Sequence, residues 1–373
     1  KLQCIGTDEA PCLVLRWNGV TIMLDCGLNL LPLLQFLPAK SIEYMNSLAE
    51  KSSQNIFHVL GGEQLFLESN IMKIERPDWG QVDLSTVDVL LISNSSNMLA
   101  LPYLTEYTDF KGTIYATEPT IQIGRHFMKE LVLLLEEQHE SLQLTTTISP
   151  NQWQNTKILE NIQERLQKQV QGAWKWESIY NLQELRRSIS KIQPLNYKET
   201  KNVYSLLKVT PISSGYCLGG ANWVIETSHE KVIYVADTSI ITPRHPEIID
   251  SISLGRVRSE GEMGNKSSRA DAIILSSTCI TSESLFTPDK MVPKALGVIG
   301  LTINNNGNVL IPTYSCGVIF DMFENIKSFL LQRMKRAPVF FISPVAEHSL
   351  AYANIIAEWL SKERQEKVFY YRE

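Results

Sequence analysis

The stretch Leu90–Pro102, LLISNSSNMLALP, decides the fold of this chain. A continuous apolar run at Val87–Ile92 predicts a strand that is buried on both faces, as strands in parallel sheets are. A short polar loop with Asn94, Ser96 and Asn97 follows, and a helical start with a leucine and a proline closes the stretch. The loop therefore carries neutral amides and hydroxyls, which are poor ligands for zinc.

The histidines are few and scattered. The chain has six, and the closest two in sequence are His126 and His139. The sequence contains no HxH, HxxH or HExxH pair. Metal-dependent hydrolases usually anchor the ion with such a pair, because one strand or helix face then presents two oriented ligands. The histidine supply argues against a catalytic metal, and no cofactor is expected.

Length and composition describe a globular protein. The 373 residues, 44% of them hydrophobic and 20% charged, predict one large domain or two ordinary ones. No apolar run reaches the roughly 18 residues that a membrane span requires, so no membrane contact is expected. The net charge of −5 gives no overall attraction to nucleic acid. Six cysteines without a CxxC pair indicate reduced thiols in the cytosol or nucleus: Cys4, Cys12, Cys26, Cys217, Cys279 and Cys316.

Alternating patterns of apolar residues predict the elements. Strands at Cys12–Trp17 and Val20–Leu24 should form a hairpin at Asn18-Gly19, because both turn positions tolerate positive φ. Further strands are predicted at Gly112–Ala116, Val203–Pro211, Ala221–Glu226 and Glu230–Ala236, and helices from Glu118 to about Gln138 and at Asn181–Gln193. The segment Ser253–Arg269, with three glycines and mixed charges, predicts a mobile surface loop.

Beyond Ala272, strands and helices alternate. The pattern predicts strands at Ala272–Leu275, Asn308–Ile311, Val339–Ile342 and near Lys367–Tyr371, and helices at Pro288–Ile303, Gly317–Phe329 and Ala346–Leu360. Such alternation indicates a parallel sheet with helices packed on it.

One segment departs from the acidic average. Residues 161–201 hold eight basic and four acidic residues, and its candidate binding residues are Arg165, Lys168, Lys175, Arg186, Arg187 and Lys191. A solvated helical face explains this charge, and so does a patch that binds a polyanion or a partner. The sequence leaves both interpretations open.

Several blocks in order resemble the β-CASP branch of the metallo-β-lactamase superfamily, whose members cut RNA or DNA internally. The blocks are Asp83–Asn94, Ala100–Thr108, Gly112–Arg125, Ser213–Ile225, Asn308–Glu324 and Phe340–Leu360. The resemblance implies an α/β fold: a metallo-β-lactamase αββα sandwich at residues 1–279, then an incomplete β-CASP domain with a parallel sheet flanked by helices at residues 280–373. It also implies that a return segment of the first domain lies beyond Glu373.

The resemblance implies where a metal site would lie, and the residues there have changed. Asp25 matches an aspartate that supports the metal ligands, and Asp237 matches the aspartate that bridges the two metals. Asn94 and Ser96 stand where the histidines of the HxHxDH motif belong, and Tyr216 replaces another histidine ligand. Ser276 stands where active members have an acidic residue. We expect no metal and no catalytic residue at these six vestigial positions.

The family likeness implies three functions to compare. The first is an inactive subunit that pairs with an active endonuclease paralogue in a nuclear complex, which also links it to RNA polymerase II. The second is a metal-dependent phosphodiesterase with unusual ligands, against which the histidine supply argues. The third is an RNA-binding module that uses a groove between the two domains, against which the net acidity argues. We expect the first, in the nucleus and possibly also in the cytoplasm, with direct RNA contact left open.

Overall fold

A computed structural model gives the fold. It describes residues 1–7, 10–30, 57–60, 64–67, 74, 76–147, 179–239, 246–249, 270–276, 288–313, 315, 318–333 and 337–370. The predicted loop Ser253–Arg269, the expected domain boundary at residues 279 and 280, and Arg165, Lys168 and Lys175 all lie outside these residues.

The elements follow one another along the chain in two groups. The first group comprises β1 (Leu2–Cys4), β2 (Leu13–Trp17), β3 (Val20–Leu24), β4 (Phe57–Leu60), β5 (Gln64–Leu67), β6 (Val89–Leu91), α1 (Leu101–Tyr107), β7 (Thr113–Thr117), α2 (Glu118–Thr147), α3 (Leu182–Ser190) and β8 (Ile192–Leu195). The second comprises β9 (Lys201–Val203), β10 (Leu207–Ser213), β11 (Ala221–Glu226), β12 (Lys231–Val235), β13 (Ala272–Leu275), α4 (Pro288–Asn304), α5 (Val318–Gln332), α6 (Ala346–Ile355) and α7 (Lys362–Tyr370).

The larger strands form two mixed sheets. The first has the order β1-β2-β3-β6-β7-β8, with antiparallel pairing up to β3 and parallel pairing from β3 to β8. The second has the order β13-β12-β11-β10-β9, in which only the β12–β13 pair is parallel. Strands β4 and β5 pair with each other.

The core has two layers, and β6 contributes to both. Leu90 faces a cluster in which α1, α2 and α3 cover the first sheet, and Met128 of α2 belongs to the same cluster. Leu91 faces the second sheet, where it shares a cluster with Trp223 and Tyr234. All five of these side chains are 0% exposed. Burial of each large apolar side chain contributes about 1.5–3 kcal/mol. The prediction of a strand buried on both faces is confirmed.

The hairpin prediction is also confirmed. Strands β2 and β3 pair antiparallel, and the turn residues Asn18 and Gly19 have φ of 49° and 80°. Predicted Val203–Pro211 instead forms two strands, because Tyr204 and Ser205 have φ of 49° and 58° and turn the chain between β9 and β10. Both sides of this turn are rich in β-branched and aromatic residues, so the sequence pattern predicts one continuous strand.

The helix predicted at Asn181–Gln193 is shorter than expected. Asn181 caps α3, and Glu184 completes a capping box. The helix ends at Ser190 because Ile192 and Gln193 join β8 and pair with β7.

Beyond β13 the described residues form helices and contain no strand. The predicted strands Asn308–Ile311 and Val339–Ile342 are wrong in this respect: Leu310 and Ile342 are each 89% exposed, and neither segment has a ladder partner in the described part of the chain. A strand needs a hydrogen-bonded neighbour, which local apolar pattern alone does not supply. The parallel sheet expected of the second domain is therefore not formed among these residues.

The strand predicted near Lys367–Tyr371 is wrong as well, because α7 spans Lys362–Tyr370. Lysine, glutamate, arginine and glutamine, which favour helices, dominate its first turns. Arg364 also forms ion pairs with Asp321 and Glu324 of α5, so this face is fixed against a neighbouring helix. Within the described residues, no helix combines the length and apolar character that crossing a membrane requires.

Candidate functional site

A polar pocket lies where strands from both sheets end. Asp25 directly follows β3, Asn94 comes three residues after β6, and Asp237 comes two residues after β12. Strands β3 and β6 are parallel, so their carboxyl ends meet at one edge of the first sheet. The backbone N–H of Asp25 donates to the carbonyl of Leu91, which fixes the two strand ends together.

Asp25 is the most buried member of the pocket. Asp25 is 0% exposed. Its φ is 64°, a left-handed conformation that turns the chain away from β3. Its carboxylate accepts hydrogen bonds from the Ser93 N–H and the Tyr234 hydroxyl, each at 2.7 Å. Burial raises the pKa of Asp25 to about 7, while the hydrogen bonds from Tyr234 and Ser93 lower it and the Asp237 charge raises it.

Asn94 organises the loop after β6. Its Oδ1 accepts from the Ser96 N–H at 3.0 Å, the Ser96 hydroxyl at 2.6 Å and the Asn97 N–H at 3.0 Å. These contacts satisfy two N–H groups of the 3₁₀ turn Ser96–Met98, a local side-chain-to-backbone role that asparagine often has. Its Nδ2 donates to Asp237 Oδ2 at 2.8 Å. Both ends of the Asn94 amide are therefore engaged.

Asn97 joins the two carboxylates. Its Nδ2 lies 3.1 Å from Asp25 Oδ2 and 3.4 Å from Asp237 Oδ2, and the residue is 3% exposed. An amide nitrogen is a donor with no free lone pair for a metal. We name Asp25, Asn94, Asn97 and Asp237 the amide-bridged pocket.

Tyr234 extends this network along the second sheet. Tyr234 is 0% exposed, and its hydroxyl donates to Asp25 at 2.7 Å. Ser276 directly follows β13, and its N–H donates to the carbonyl of Val235 on the neighbouring strand at 3.0 Å. Four of the six predicted vestigial positions, Asp25, Asn94, Ser96 and Asp237, thus lie in one connected set of hydrogen bonds.

Tyr216 lies on the loop between β10 and β11. It is 43% exposed, and its N–H donates to the Ser214 hydroxyl at 3.4 Å. The loop ends at Ala221, the first residue of β11, whose N–H donates to the carbonyl of Ser93 at 2.8 Å.

The donor set does not fit a dinuclear zinc centre. Zinc requires lone pairs from imidazole, thiolate or carboxylate, whereas the Asn94 and Asn97 amides turn N–H groups toward the Asp25 and Asp237 oxygens. In the described part of the chain, no group of three histidine, cysteine, aspartate or glutamate side chains is arranged to hold a metal ion. The pocket as it stands is a hydrogen-bonded structure.

A comparison with protein families places the chain. Residues 68–274, more than half of its length, match the model described as "Metallo-beta-lactamase superfamily domain". The chain belongs to the metallo-β-lactamase superfamily. It is 38% identical to "Integrator complex subunit 9" of Homo sapiens over 99% of this chain and 54% of that protein.

More distant relatives also align. The "Integrator complex subunit 9 homolog" of Dictyostelium discoideum is 32% identical over 99% of this chain and 55% of its own length. "Endoribonuclease ysh1" of Schizosaccharomyces pombe is 22% identical over 87% of this chain and 38% of its own. The chain thus spans about half the length of the subunit 9 relatives. A solved subclass B3 metallo-β-lactamase, MEM-A1, covers 65% of this chain and 63% of its own at 11% identity, with a TM-score of 0.29.

The described part of the predicted basic patch is engaged in an internal contact. Lys191 Nζ lies 2.7 Å from Glu106 Oε1, and Arg187 lies 3.7 Å from the same carboxylate. Lys191 also donates to the Thr105 carbonyl at 3.0 Å. These two cations thus hold α3 against α1. Arg186 is exposed on α3.

Two residues of this hydrogen-bonded set, Asn97 and Tyr234, were missed as site residues. Asn97 was seen only as part of a polar loop, although an asparagine three residues after Asn94 is placed to return to the strand end. Tyr234 carried a clearer signal, because a tyrosine inside an apolar strand needs a partner for its hydroxyl. That partner is Asp25, 209 residues away in sequence, which no local pattern identifies.

Proposed function

We propose that this protein is a catalytically inactive metallo-β-lactamase/β-CASP subunit of the Integrator complex. It pairs with and supports the endonuclease paralogue, Integrator complex subunit 11, and it also contacts Integrator complex subunit 4. Through the complex it takes part in 3′-end processing of small nuclear RNA and in cleavage of nascent RNA polymerase II transcripts, in the nucleus. The similarity to Integrator complex subunit 9 over 99% of the chain supports this assignment.

The hydrogen bonding of the amide-bridged pocket is the observation that best supports the proposed lack of catalysis. Phosphodiester hydrolysis in this superfamily depends on metal ions that generate hydroxide and neutralise the scissile phosphate. Here Asn94 and Asn97 occupy the approach to Asp237 and Asp25 with N–H donors. A cation would have to displace amides that already satisfy these carboxylates. The two-domain arrangement, with a β-CASP domain at residues 280–373, is part of the same proposal.

Activity of the reconstituted complex tests the proposal. Asp237→Asn removes the charge that would hold a metal and keeps the shape of the side chain. We expect RNA cleavage by the complex with subunit 11 to stay within about twofold of wild type, because in this proposal the Asp237 carboxylate takes no part in the chemistry. Loss of a catalytic interaction of about 1.4 kcal/mol would lower the rate tenfold. The matched control removes a metal ligand of the endonuclease paralogue and should abolish cleavage.

Two results would contradict the proposal. A tenfold or greater loss of cleavage by the Asp237→Asn complex, with normal assembly on size exclusion, would place this carboxylate in the chemistry. Zinc-dependent RNA cleavage by the purified chain, with zinc bound at two equivalents by mass spectrometry, would support the phosphodiesterase alternative instead.

A further inference from the structure

A half-buried carboxylate on α2 holds two serines from separate segments. Glu130 accepts a hydrogen bond from the Ser315 hydroxyl at 2.7 Å and another from the Ser343 hydroxyl at 2.6 Å. Ser349 of α6 in turn donates to the carbonyl of Ser315. We call Glu130, Ser315 and Ser343 the Glu130 clasp. It ties the region that contains α5 and α6 to the long helix beside the first sheet.

Ser343 is half-buried at the end of a stretch with exposed residues and is followed by Pro344. The flanking residues Phe340 and Ile342 are 78% and 89% exposed, and residues 337–343 belong to no strand. A residue before proline favours extended backbone, which is the form in which proline-directed protein kinases bind their substrates. The other Ser/Thr-Pro dipeptide within the described residues, Thr210-Pro211, lies in β10 and pairs with β11. A kinase could not bind that segment without opening the sheet.

A phosphate on Ser343 would meet opposite electrostatic surroundings on its two sides. On one side is the Glu130 carboxylate, which repels a dianion. On the other is the first turn of α6, where the Val345 N–H already donates to Ser343 Oγ at 3.1 Å and the Ala346 N–H donates to the Ser343 carbonyl. N–H groups at a helix start favour negative charge. A phosphate on Ser343 is therefore expected to leave the Glu130 carboxylate and to accept from the N–H groups at the start of α6.

We propose that Ser343 is a phosphoacceptor site for a proline-directed protein kinase, and that its phosphorylation opens the Glu130 clasp. The hydroxyl oxygen attacks the γ-phosphorus of ATP, an Oγ–P bond forms, and the bond from that phosphorus to the bridging oxygen of ADP breaks. ADP leaves, and the hydroxyl proton passes to the base of the kinase. The kinase acts on the open form of the clasp, and the phosphate then prevents closing.

Site-mapped phosphorylation tests the first half of the proposal. The purified chain and its Ser343→Ala variant are incubated with a recombinant proline-directed kinase and ATP, and phosphopeptides are mapped by mass spectrometry. We expect phosphate on Ser343 in the wild type and its loss in the variant, with the other Ser/Thr-Pro sites as internal references. Ser315→Ala, which removes one of the two clasp contacts, should increase the rate at Ser343. Absence of phosphate at Ser343 while other sites are modified would overturn the proposal.

Hydrogen exchange tests the second half. Phosphorylation should increase amide exchange of residues 347–349 and of the peptide containing Ser315 by roughly tenfold or more, because the clasp loses a hydrogen bond to a charged group. In Glu130→Gln the increase on phosphorylation should be smaller, because the repulsion is gone. Phosphorylation that leaves exchange unchanged in the wild type, or an equal increase in Glu130→Gln, would overturn the clasp mechanism.

Discussion

Two carboxylate-centred networks in this chain are built from different donors. In the amide-bridged pocket, Asp25 and Asp237 accept from the Asn97 side chain, which is 3% exposed. In the Glu130 clasp, the acceptor is half-buried and its donors are the hydroxyls of Ser315 and Ser343. An amide is planar and its N–H directions are fixed by the side-chain plane, whereas a hydroxyl rotates to suit its partner.

This difference between the two networks predicts different costs when a donor is removed by mutation. A buried carboxylate that loses its donor has no water to replace it, so the pocket is costly to alter. At the clasp, Glu130 and Ser343 are only half-buried, so solvent replaces the Ser343 hydroxyl and this contact costs less to open. The first network therefore suits a permanent structural role, and the second suits a reversible contact between two parts of the chain.

The largest effect is expected for Asn97→Asp. The new carboxylate would lie beside the Asp25 and Asp237 oxygens that Asn97 now bridges. An unpaired buried charge costs about 3–5 kcal/mol, so urea unfolding at pH 7.5 should show a loss of that size. Three carboxylates suit a hard cation, and millimolar magnesium or calcium should restore part of the stability.

Matched variants separate charge from shape in this experiment. Asn97→Ala removes the bridge without adding charge and should cost less, about 1–3 kcal/mol, with no response to the cation. Asn202→Asp adds the same charge on the exposed strand β9 and should change stability by less than about 0.5 kcal/mol. Equal losses for the aspartate and alanine variants at position 97 would show that the two carboxylates are not both ionised beside it.

A smaller effect is expected from the titration of Asp25. Its folded pKa of about 7 exceeds the ordinary aspartate pKa of 3.8, so between these values the folded protein holds a proton that the unfolded chain has lost. Stability from this group is therefore present at low pH and falls as pH rises through the window. Linkage gives a loss of about 2 kcal/mol between pH 5 and pH 7.

Unfolding free energies of wild type and Asp25→Asn at pH 5, 6 and 7 measure this loss. The variant cannot titrate, so its free energy should fall less steeply with pH than that of the wild type. Asp109→Asn, at an exposed position, is the control and should leave the wild-type slope unchanged. Parallel slopes for wild type and Asp25→Asn would mean that the hydrogen bonds from Tyr234, Asn97 and Ser93 outweigh burial.

Local pattern predicted the first part of the fold well, for a physical reason. The hairpin at Asn18-Gly19 and the strand around Leu90 depend on turn geometry and on burial at both faces, which neighbouring residues largely determine. Beyond β13, the apolar segments at residues 308–311 and 339–342 have the composition of strands. Their pairing depends on residues far away in sequence, which local composition does not encode.

The site was predicted in part for a similar reason. The vestigial positions Asp25, Asn94 and Asp237 came from a family resemblance in short blocks of sequence. The bridge through Asn97 and the hydroxyl of Tyr234 required three strand ends in contact. The Glu130 clasp was not predicted, because its partners lie 185 and 213 residues away along the chain.

The smallest effect is expected at the clasp, for Glu130→Ala. The variant removes both hydrogen bonds, but the half-buried Ser343 hydroxyl gains water, and alanine favours helix α2. The net cost in urea unfolding at pH 7.5 should be about 1–2 kcal/mol, and Glu130→Gln, which keeps one acceptor oxygen, should cost less than about 1 kcal/mol. Glu136→Ala, at an exposed position of the same helix, controls for propensity and should stay within about 0.5 kcal/mol of wild type.

A double-mutant cycle of Glu130→Ala with Ser343→Ala should give a coupling energy above about 0.5 kcal/mol, since the two side chains share a contact. Strict additivity would show that the contact contributes nothing to stability. A cost for Glu130→Ala as large as that of Asn97→Asp would remove the distinction between a permanent network and a reversible one.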